Sequence, residues 1–402
     1  MFYGTMNRDQ GLGLLQSLFP IYPLICYYCP MILESGAKLD FDDVLIKPKR
    51  STIESRKDVD LVRVFKTRHG KKFDGVPVIA SNMATGNFNM LHTLAEHKMF
   101  TAIAKHHSEQ WLSKEKRAEK MKYGFYTIGI RNPHEFENLI AFNKLLEKEE
   151  HKIPLKVIVD VANGYVQKFS DFIHHLRDTL PDSVIFAGNV CTPEMAEELI
   201  ISGADGVKIG VGPGSFCKTR VTTGVGYPQL DAIISCADAA HGLNGLVIAD
   251  GGCKTPGDVA KAFCANADMV MLGTMFAGTD ECDGSVITKY IHDGEYDSDL
   301  KPIIKEKKFK IFYGMSSDLA QASHFGGVKD YRASEGLVEE LPYKGSVNIQ
   351  VRNILGGLRS CGTYIGATSL KNFGKCASFI KVNRVHSRPW AGINAQNTTP
   401  DL

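Results

Sequence analysis

One glycine-rich loop gathers side chains able to do covalent chemistry. Gly210-Val-Gly212-Pro-Gly214-Ser215-Phe-Cys217-Lys218-Thr219-Arg220 carries glycines at alternate positions, a hydroxyl at Ser215, a thiol at Cys217 and flanking cations. Glycines so spaced let backbone amides and carbonyls turn toward a ligand or ion. Positive charge beside a thiol lowers its pKa, so Cys217 is a candidate thiolate nucleophile. Most intracellular cysteines are instead small buried hydrophobes, and Cys191, Cys236, Cys264, Cys361 and Cys376 are read that way. Asp250-Gly251-Gly252 and Gly273-Thr274 offer amides to a phosphate, and Asp250 an acceptor for ribose hydroxyls, against a plainer reading as turn chemistry. Neither a GxGxxG fingerprint nor a P-loop is present, which favours a mononucleotide over a triphosphate held at a Walker site. Tyr313-Gly314-Met315-Ser316-Ser317 and Tyr331-Arg332-Ala333-Ser334-Glu335-Gly336 suit a segment that covers a ligand.

These groups need a scaffold, and the chain shows a regular one. β-Branched runs recur at Val76–Ser81, Thr101–Lys105, Tyr126–Ile130, Leu155–Asn163, Val184–Asn189, Gly206–Gly210, Leu246–Gly252 and Met269–Gly273. Thr192-Pro193-Glu194 and Thr255-Pro256-Gly257-Asp258 open helices between them. Near-continuous apolar strands are those of a parallel sheet covered on both faces. Eight such units predict a (β/α)8 TIM barrel, with an open doubly wound sheet as the alternative. In a barrel, chemistry sits where strands end and loops begin, and the reactive loops fall there.

Lys+Arg 47 against Asp+Glu 45 leaves +2, too balanced for a nucleic-acid or polybasic membrane binder. Ten scattered cysteines make no disulfide scaffold and point to a reducing, cytoplasmic setting. Residues 1–37 read as an extension outside the core, 38–385 as one catalytic domain and 386–402 as a polar tail. Leu12 to Leu33 is mostly apolar, but Pro20, Pro23 and Pro30 interrupt any helix through it, so a poorly ordered extension is expected over an anchor. Cys26 and Cys29 form a CxxC without a second pair nearby.

Taken in order, Gly-Val-Gly-Pro-Gly-Ser-Phe-Cys-Lys-Thr-Arg, Asp-Gly-Gly and Tyr-Gly-Met-Ser-Ser resemble the IMP dehydrogenase/GMP reductase family. Lys38-Leu-Asp-Phe-Asp-Asp43-Val-Leu-Ile-Lys-Pro-Lys-Arg-Ser-Thr, Asp160-Val161-Ala162-Asn163-Gly164-Tyr165, Thr-Gly-Val-Gly-Tyr-Pro-Gln-Leu and Tyr-Arg-Ala-Ser-Glu-Gly match its reductase branch, over roughly Lys38 to Val382. The paired regulatory (CBS) insertion usual in the dehydrogenases is not expected, because an ordinary helix-sized stretch follows Lys105. The resemblance implies conversion of GMP and NADPH to IMP, ammonia and NADP through a Cys217 thioimidate. It assigns Thr219, Glu335, Lys105 and Asp43 to catalysis. It assigns Ser215, Asp250, Gly251, Gly252, Gly273, Thr274, Tyr313, Gly314, Met315, Ser316, Arg332, Ala333, Ser334 and Gly336 to the nucleotide. Ser55, Arg56, Lys105, Asp160, Val161, Ala162, Met315, Tyr331, Arg332, Ser360, Cys361, Gly362 and Thr363 fall to the cofactor, with Ser55 and Arg56 reaching from a neighbouring subunit of a homotetramer. Gly212, Gly214, Cys217 and Arg220 would surround a monovalent cation such as K+, through backbone oxygens. No nucleic-acid or membrane partner is implied.

The chain departs from the family pattern at Ala84, where Asn-Met-Asp-Thr is usual, and at Ala104 and His107, which alter His-Lys-His-Tyr around Lys105. Ile130 and Lys218 each replace a threonine, Ile130 near the departing ammonia. An active enzyme with slower deamination is expected. The rivals are an IMP-oxidising dehydrogenase, a GMP-binding barrel without turnover and a flavin-dependent barrel. The charged stretch Thr279–Lys308 reads as a solvated insertion, with a cofactor-covering flap as the sharper alternative.

Overall fold

The structure, a computed structural model, describes residues 33–107, 109–113, 118–148, 153–296, 298–324 and 333–382. Contacts divide the chain into Met1–Ala37 and Lys38–Leu402. Of the apolar N-terminal stretch only Leu33 is described, and the CxxC, Tyr331, Arg332 and the tail from residue 383 lie outside the described residues.

The apolar runs become the strands of a closed parallel barrel: β1 Lys72–Ala80, β2 Met99–Ile103, β3 Gly124–Ile128, β4 Lys156–Asp160, β5 Val184–Val190, β6 Gly206–Ile209, β7 Leu246–Asp250 and β8 Met269–Leu272. β8 returns to β1 in parallel register, Val270 opposite Val78 and Leu272 opposite Ala80, which closes the sheet. No strand between them is left with an edge, so their backbone groups are satisfied by neighbours on both sides. β2, β3, β6 and β8 are buried at every position, because barrel interior and helical layer cover opposite faces. This is the (β/α)8 barrel the run spacing predicts.

Aromatic side chains fill the N-terminal end of the barrel. Phe73 meets Phe100 edge-on at 5.9 Å, Phe100 lies 5.6 Å from Phe125, and Phe125 lies 5.7 Å from Phe186. The helices start where the sequence signals them. Pro256–Cys264 opens on a capping box in which Thr255 and Asp258 serve each other's backbone amides. Pro193–Ile201 begins with its proline at the first turn, where the missing N–H costs nothing. Between β2 and β3 the described residues form a 3-10 turn, Lys105–His107, and the short helices Gln110–Ser113 and Ala118–Met121.

Past β8 the charged stretch folds as a sheet of its own: β9 Val286–Tyr296, β10 Pro302–Tyr313 and β11 Val338–Pro342, all antiparallel. The outer part of this hairpin faces solvent and pairs its charges, Lys289 with Glu340 and Lys305 with Glu295. Its inner end is anchored by Lys310, 5% exposed, whose ammonium donates to the carbonyls of Thr279 (2.8 Å) and Cys282 (2.7 Å). Through β10 the hairpin carries Tyr313 and the following turn to the barrel mouth.

Candidate active site

The loop after β6 places Cys217 at the C-terminal mouth of the barrel, exposed, as its sequence context predicts. Its amide donates to the Gly214 carbonyl at 3.0 Å, which folds the loop back on itself. The thiol donates to Thr219 Oγ1 at 3.2 Å, and the Thr219 hydroxyl donates to Glu335 Oε2 at 2.5 Å. A thiol, a hydroxyl and a carboxylate thus form a continuous proton path, although Glu335 lies far along the chain.

Backbone pairing brings Glu335 there. Cys217 and Gly336 form an antiparallel bridge, the Lys218 amide donates to the Glu335 carbonyl (2.7 Å), and the Leu337 amide donates to the Phe216 carbonyl (3.1 Å). The turn after β10 locks onto the same strip: Glu335 N donates to Ser316 O (3.3 Å) and Gly314 N to Leu337 O (2.9 Å). A Cβ on Gly336 would stand 2.5 Å from Ser317 N, and one on Gly314 2.7 Å from Phe216 O. Three segments can therefore interlock only because these two positions lack side chains. Gly314 and Gly336 accordingly hold the site together through backbone packing, and Met315, Ser316, Ala333 and Ser334 lie on the strip they join.

The loop after β7 closes against the β6 loop, with Gly251 at φ +91 and its α-carbon face against Pro213 and Gly214. Gly252 packs on the Phe41 ring, and Gly273, after β8, lies beside Ser81 and Met83. The carbonyl of Thr274 accepts from Lys344 at 3.1 Å. Ser215 is exposed on the Cys217 loop.

Beneath these loops lies a charged layer whose centre sequence reasoning missed. Lys208, in the middle of β6 and 2% exposed, donates to Asp250 Oδ2 (2.7 Å) and pairs with Asp160 Oδ1 (2.9 Å). Asn189, on β5, adds a second donor to Asp250 Oδ2 at 3.0 Å and reaches the Gly210 carbonyl at 2.8 Å. Both the Lys208 and the Asn189 bond fall on Oδ2 of Asp250. Lys105 donates to the Asp160 carbonyl (2.6 Å) and lies 3.3 Å from its carboxylate. Burial alone would raise the Asp160 carboxyl, but Lys208 and Lys105 outweigh it and hold the group well below the usual carboxylate range. Burial likewise opposes the Lys208 charge, and the two aspartates overcome it. The available signal was a lysine interrupting the apolar run Gly206-Val-Lys-Ile.

The predicted cofactor residues divide between two places. Lys105, Asp160, Val161 and Ala162 stand at the ends of β2 and β4, at the mouth. Ser360, Cys361, Gly362 and Thr363 ride on the helix Val347–Ile365, which packs outside the barrel against Pro256–Cys264 and the turn Arg56–Asp58. There Gly362 fits against Val59, Thr363 Oγ1 donates to the Ser360 carbonyl (2.7 Å), and Ser55 caps the turn that holds exposed Arg56. Asp43 closes another capping box, its carboxylate accepting from Asp40 N at 2.8 Å. In the predicted cation loop, Gly212 adopts φ +81 with the Arg220 side chain packed against its α-carbon, and the guanidinium donates to the Tyr227 carbonyl (2.5 Å) and lies 3.4 Å from Asp40. The departures are also placed: Ala84 and Ala104 are buried, Ile130 packs against the core at the end of β3, and Lys218 lies beside the thiol with its backbone paired to Glu335. Among the described residues no helix is long and apolar enough to cross a membrane.

Comparison with known proteins agrees with the barrel fold. Residues 38–388 match the IMP dehydrogenase / GMP reductase domain. The chain is 48% identical over 358 residues to a GMP reductase of Ascaris suum, covering 88% of this chain and 95% of that protein. It is 49% identical over 364 residues to one of Yersinia enterocolitica, covering 89% and 99%, and 47% identical over 365 residues to one of Onchocerca volvulus, covering 89% and 95%.

Proposed function

The chain belongs to the IMP dehydrogenase/GMP reductase family, and from that premise we propose that it reduces GMP to IMP and ammonia with NADPH, through a covalent bond from Cys217 to the purine C2. The observation that carries this reading is the Cys217–Thr219–Glu335 path. As the sulfur adds to C2, its proton passes to Thr219 Oγ1 while the Thr219 proton moves to Glu335. Run in reverse, the same path returns a proton to the departing amino group, which leaves as ammonia and a thioimidate on Cys217. Splitting the substitution this way makes one difficult step into two easier ones.

Asp250, oriented by Lys208 and Asn189, would accept the ribose hydroxyls. Ser215, Gly252, Gly273, Thr274 and Tyr313 would take the phosphate. Arg332, with Met315, Ser316 and Ser334, would line the purine and the cofactor boundary. NADPH, when bound, would supply hydride to C2, and the C2–S bond then breaks to free IMP and the Cys217 sulfur; the fixed Lys105 ammonium at the mouth fits the cofactor's side of the base. The outer patch of Ser55, Arg56 and Ser360–Thr363 fits a cofactor shared with a neighbouring subunit, in the homotetramer expected of the family. Carbonyls of the Gly212–Cys217 loop would offer oxygens to a monovalent cation, beside an Arg220 guanidinium that Asp40 faces at 3.4 Å. A cytoplasmic setting suits a working thiol.

The test is loss of NADPH absorbance when purified protein meets GMP. Cys217→Ala is expected to bind GMP and turn over none. Equal rates in the variant and the parent chain would remove the thiol from the mechanism.

A further inference from the structure

A second cluster of ligand-type side chains lies where the loops after β1, β2 and β8 meet. His106 and His107 follow Lys105 in a single 3-10 turn, and Asp283 comes from the loop that precedes β9. One ligand atom from each of the three lies within 4.8 Å of the others. One pair, His107 Nε2 and Asp283 Oδ2, is 3.2 Å apart. Two ligands of a tetrahedral zinc ion are separated by roughly 3.3 Å, given metal–N and metal–O bonds of about 2.0–2.2 Å. That edge is therefore already at coordination distance. The 4.2 Å between the His106 and His107 rings leaves a modest rotation to bring the third nitrogen in.

The surrounding residues hold the ligands as an outer shell would. Asp283 is fixed twice: Asn87 Nδ2 donates to Oδ1 at 2.8 Å, and the Asp283 amide donates to the Ala84 carbonyl at 2.9 Å. Oδ2 is thereby the oxygen turned toward the histidines. The Gln110 side-chain amide meets His107 Nδ1 at 2.9 Å. With that amide turned over, its oxygen accepts from Nδ1–H, which sets the tautomer whose Nε2 lone pair faces the cluster. The His107 amide donates to Ala104 O (2.9 Å), and Ala104 N donates to Gly86 O (2.8 Å), so the turn is tied to the β1 loop that carries Asn87.

We propose that His106, His107 and Asp283 form a binding site for a divalent transition-metal ion. Two imidazoles and one carboxylate select a borderline cation such as Zn2+ over the oxygen-seeking Mg2+ and Ca2+, and three protein ligands leave a position open to water. The inference does not rest on the reaction proposed above.

The test uses the untagged full-length chain, stripped with chelator and titrated with Zn2+ by calorimetry. The comparison is with His107→Phe and Asp283→Asn, each first shown to melt at the parent temperature without metal. The parent chain is expected to take up one equivalent, with a dissociation constant of about 10 µM or tighter, that both variants lose or bind at least about tenfold more weakly. Co2+ in place of Zn2+ is expected to show, in the parent-minus-variant difference, ligand-field bands without thiolate charge transfer, which separates this site from Cys217 and the other cysteines. Equal uptake by parent and variants, or a difference spectrum with thiolate character, overturns the proposal. So does preferential binding of Mg2+.

Discussion

Replacing Lys208 with methionine tests the charged layer beneath the mouth. The substitution keeps the aliphatic stem in the barrel and removes the ammonium that bridges Asp160 and Asp250 at 2.9 and 2.7 Å. Removing one member of a buried ion pair typically costs about 3–5 kcal/mol, because the remaining charge is left without a partner. Here the aspartate side chains are 26% and 20% exposed, and Asp160 keeps Lys105 at 3.3 Å, so a loss of about 2–4 kcal/mol is expected at pH 7. The pH dependence gives a second, independent sign. Asp160 is held below its ordinary value of 3.8, so its stabilisation is complete above that pH and is lost as pH falls through the folded value. Without Lys208 the two carboxylates repel and Asp160 loses its main counter-charge, so its pKa rises and mild acid relieves the variant before it harms the parent. Urea unfolding at one protein concentration is therefore expected to show the parent–variant gap narrowing from pH 7 to pH 5, and Lys208→Met/Asp250→Asn recovering part of the loss. A gap below about 0.5 kcal/mol at pH 7, within ordinary surface-mutation scatter, or one that widens on acidification, would refute the argument.

Three further outcomes are expected. Thr219→Val removes the hydroxyl between thiol and carboxylate while keeping its shape, and steady-state kinetics should show kcat down about 100-fold or more with KM for GMP little changed. Ile130→Thr restores a hydroxyl at the end of β3; an interaction of about 1–3 kcal/mol there would quicken the deamination step roughly 5- to 150-fold, read by rapid-quench measurement of ammonia release. His241 is raised above its ordinary value of 6.5, chiefly by its 2.8 Å bond to Asp268, so its contribution is complete below that pH and lost as pH rises through the folded value. His241→Gln should thus cost more at pH 6 than at pH 9, by about 1 kcal/mol or less because the side chain is 39% exposed, as urea midpoints at the two pH values would show.

The barrel was legible because its signal is local. A strand buried on both faces must be apolar throughout, and each such run between helix-opening residues announces one βα unit whatever its partners. The Cys217 loop was legible for the same reason, since glycine spacing, thiol and cations are contiguous. Composition also spoke plainly: the near balance of charge and the scattered cysteines follow from counting alone.

Other features depended on distance through space. Glu335 reaches Thr219 across 116 positions only because Gly336 pairs with Cys217 and tolerates no side chain at the crossing. Lys208 read as an interruption in a strand, and its role appears when β4, β6 and β7 lie side by side and set two aspartates about one ammonium. The charged stretch after β8 showed no strand pattern in its composition, yet it folds as a hairpin whose second strand, through Phe309–Tyr313, pairs with Val338–Pro342 and so becomes the arm that delivers Tyr313. Asp283 and His107, far apart in the chain, meet because the loops after β2 and β8, from opposite ends of the strand order, become neighbours when β8 closes on β1. The sequence by itself determined the repeating unit, the reactive-looking Cys217 loop and the balance of charge, since each is encoded in adjacent residues. Only the tertiary structure decided which carboxylate serves which hydroxyl, ammonium or imidazole, because ring closure, not chain proximity, sets those distances.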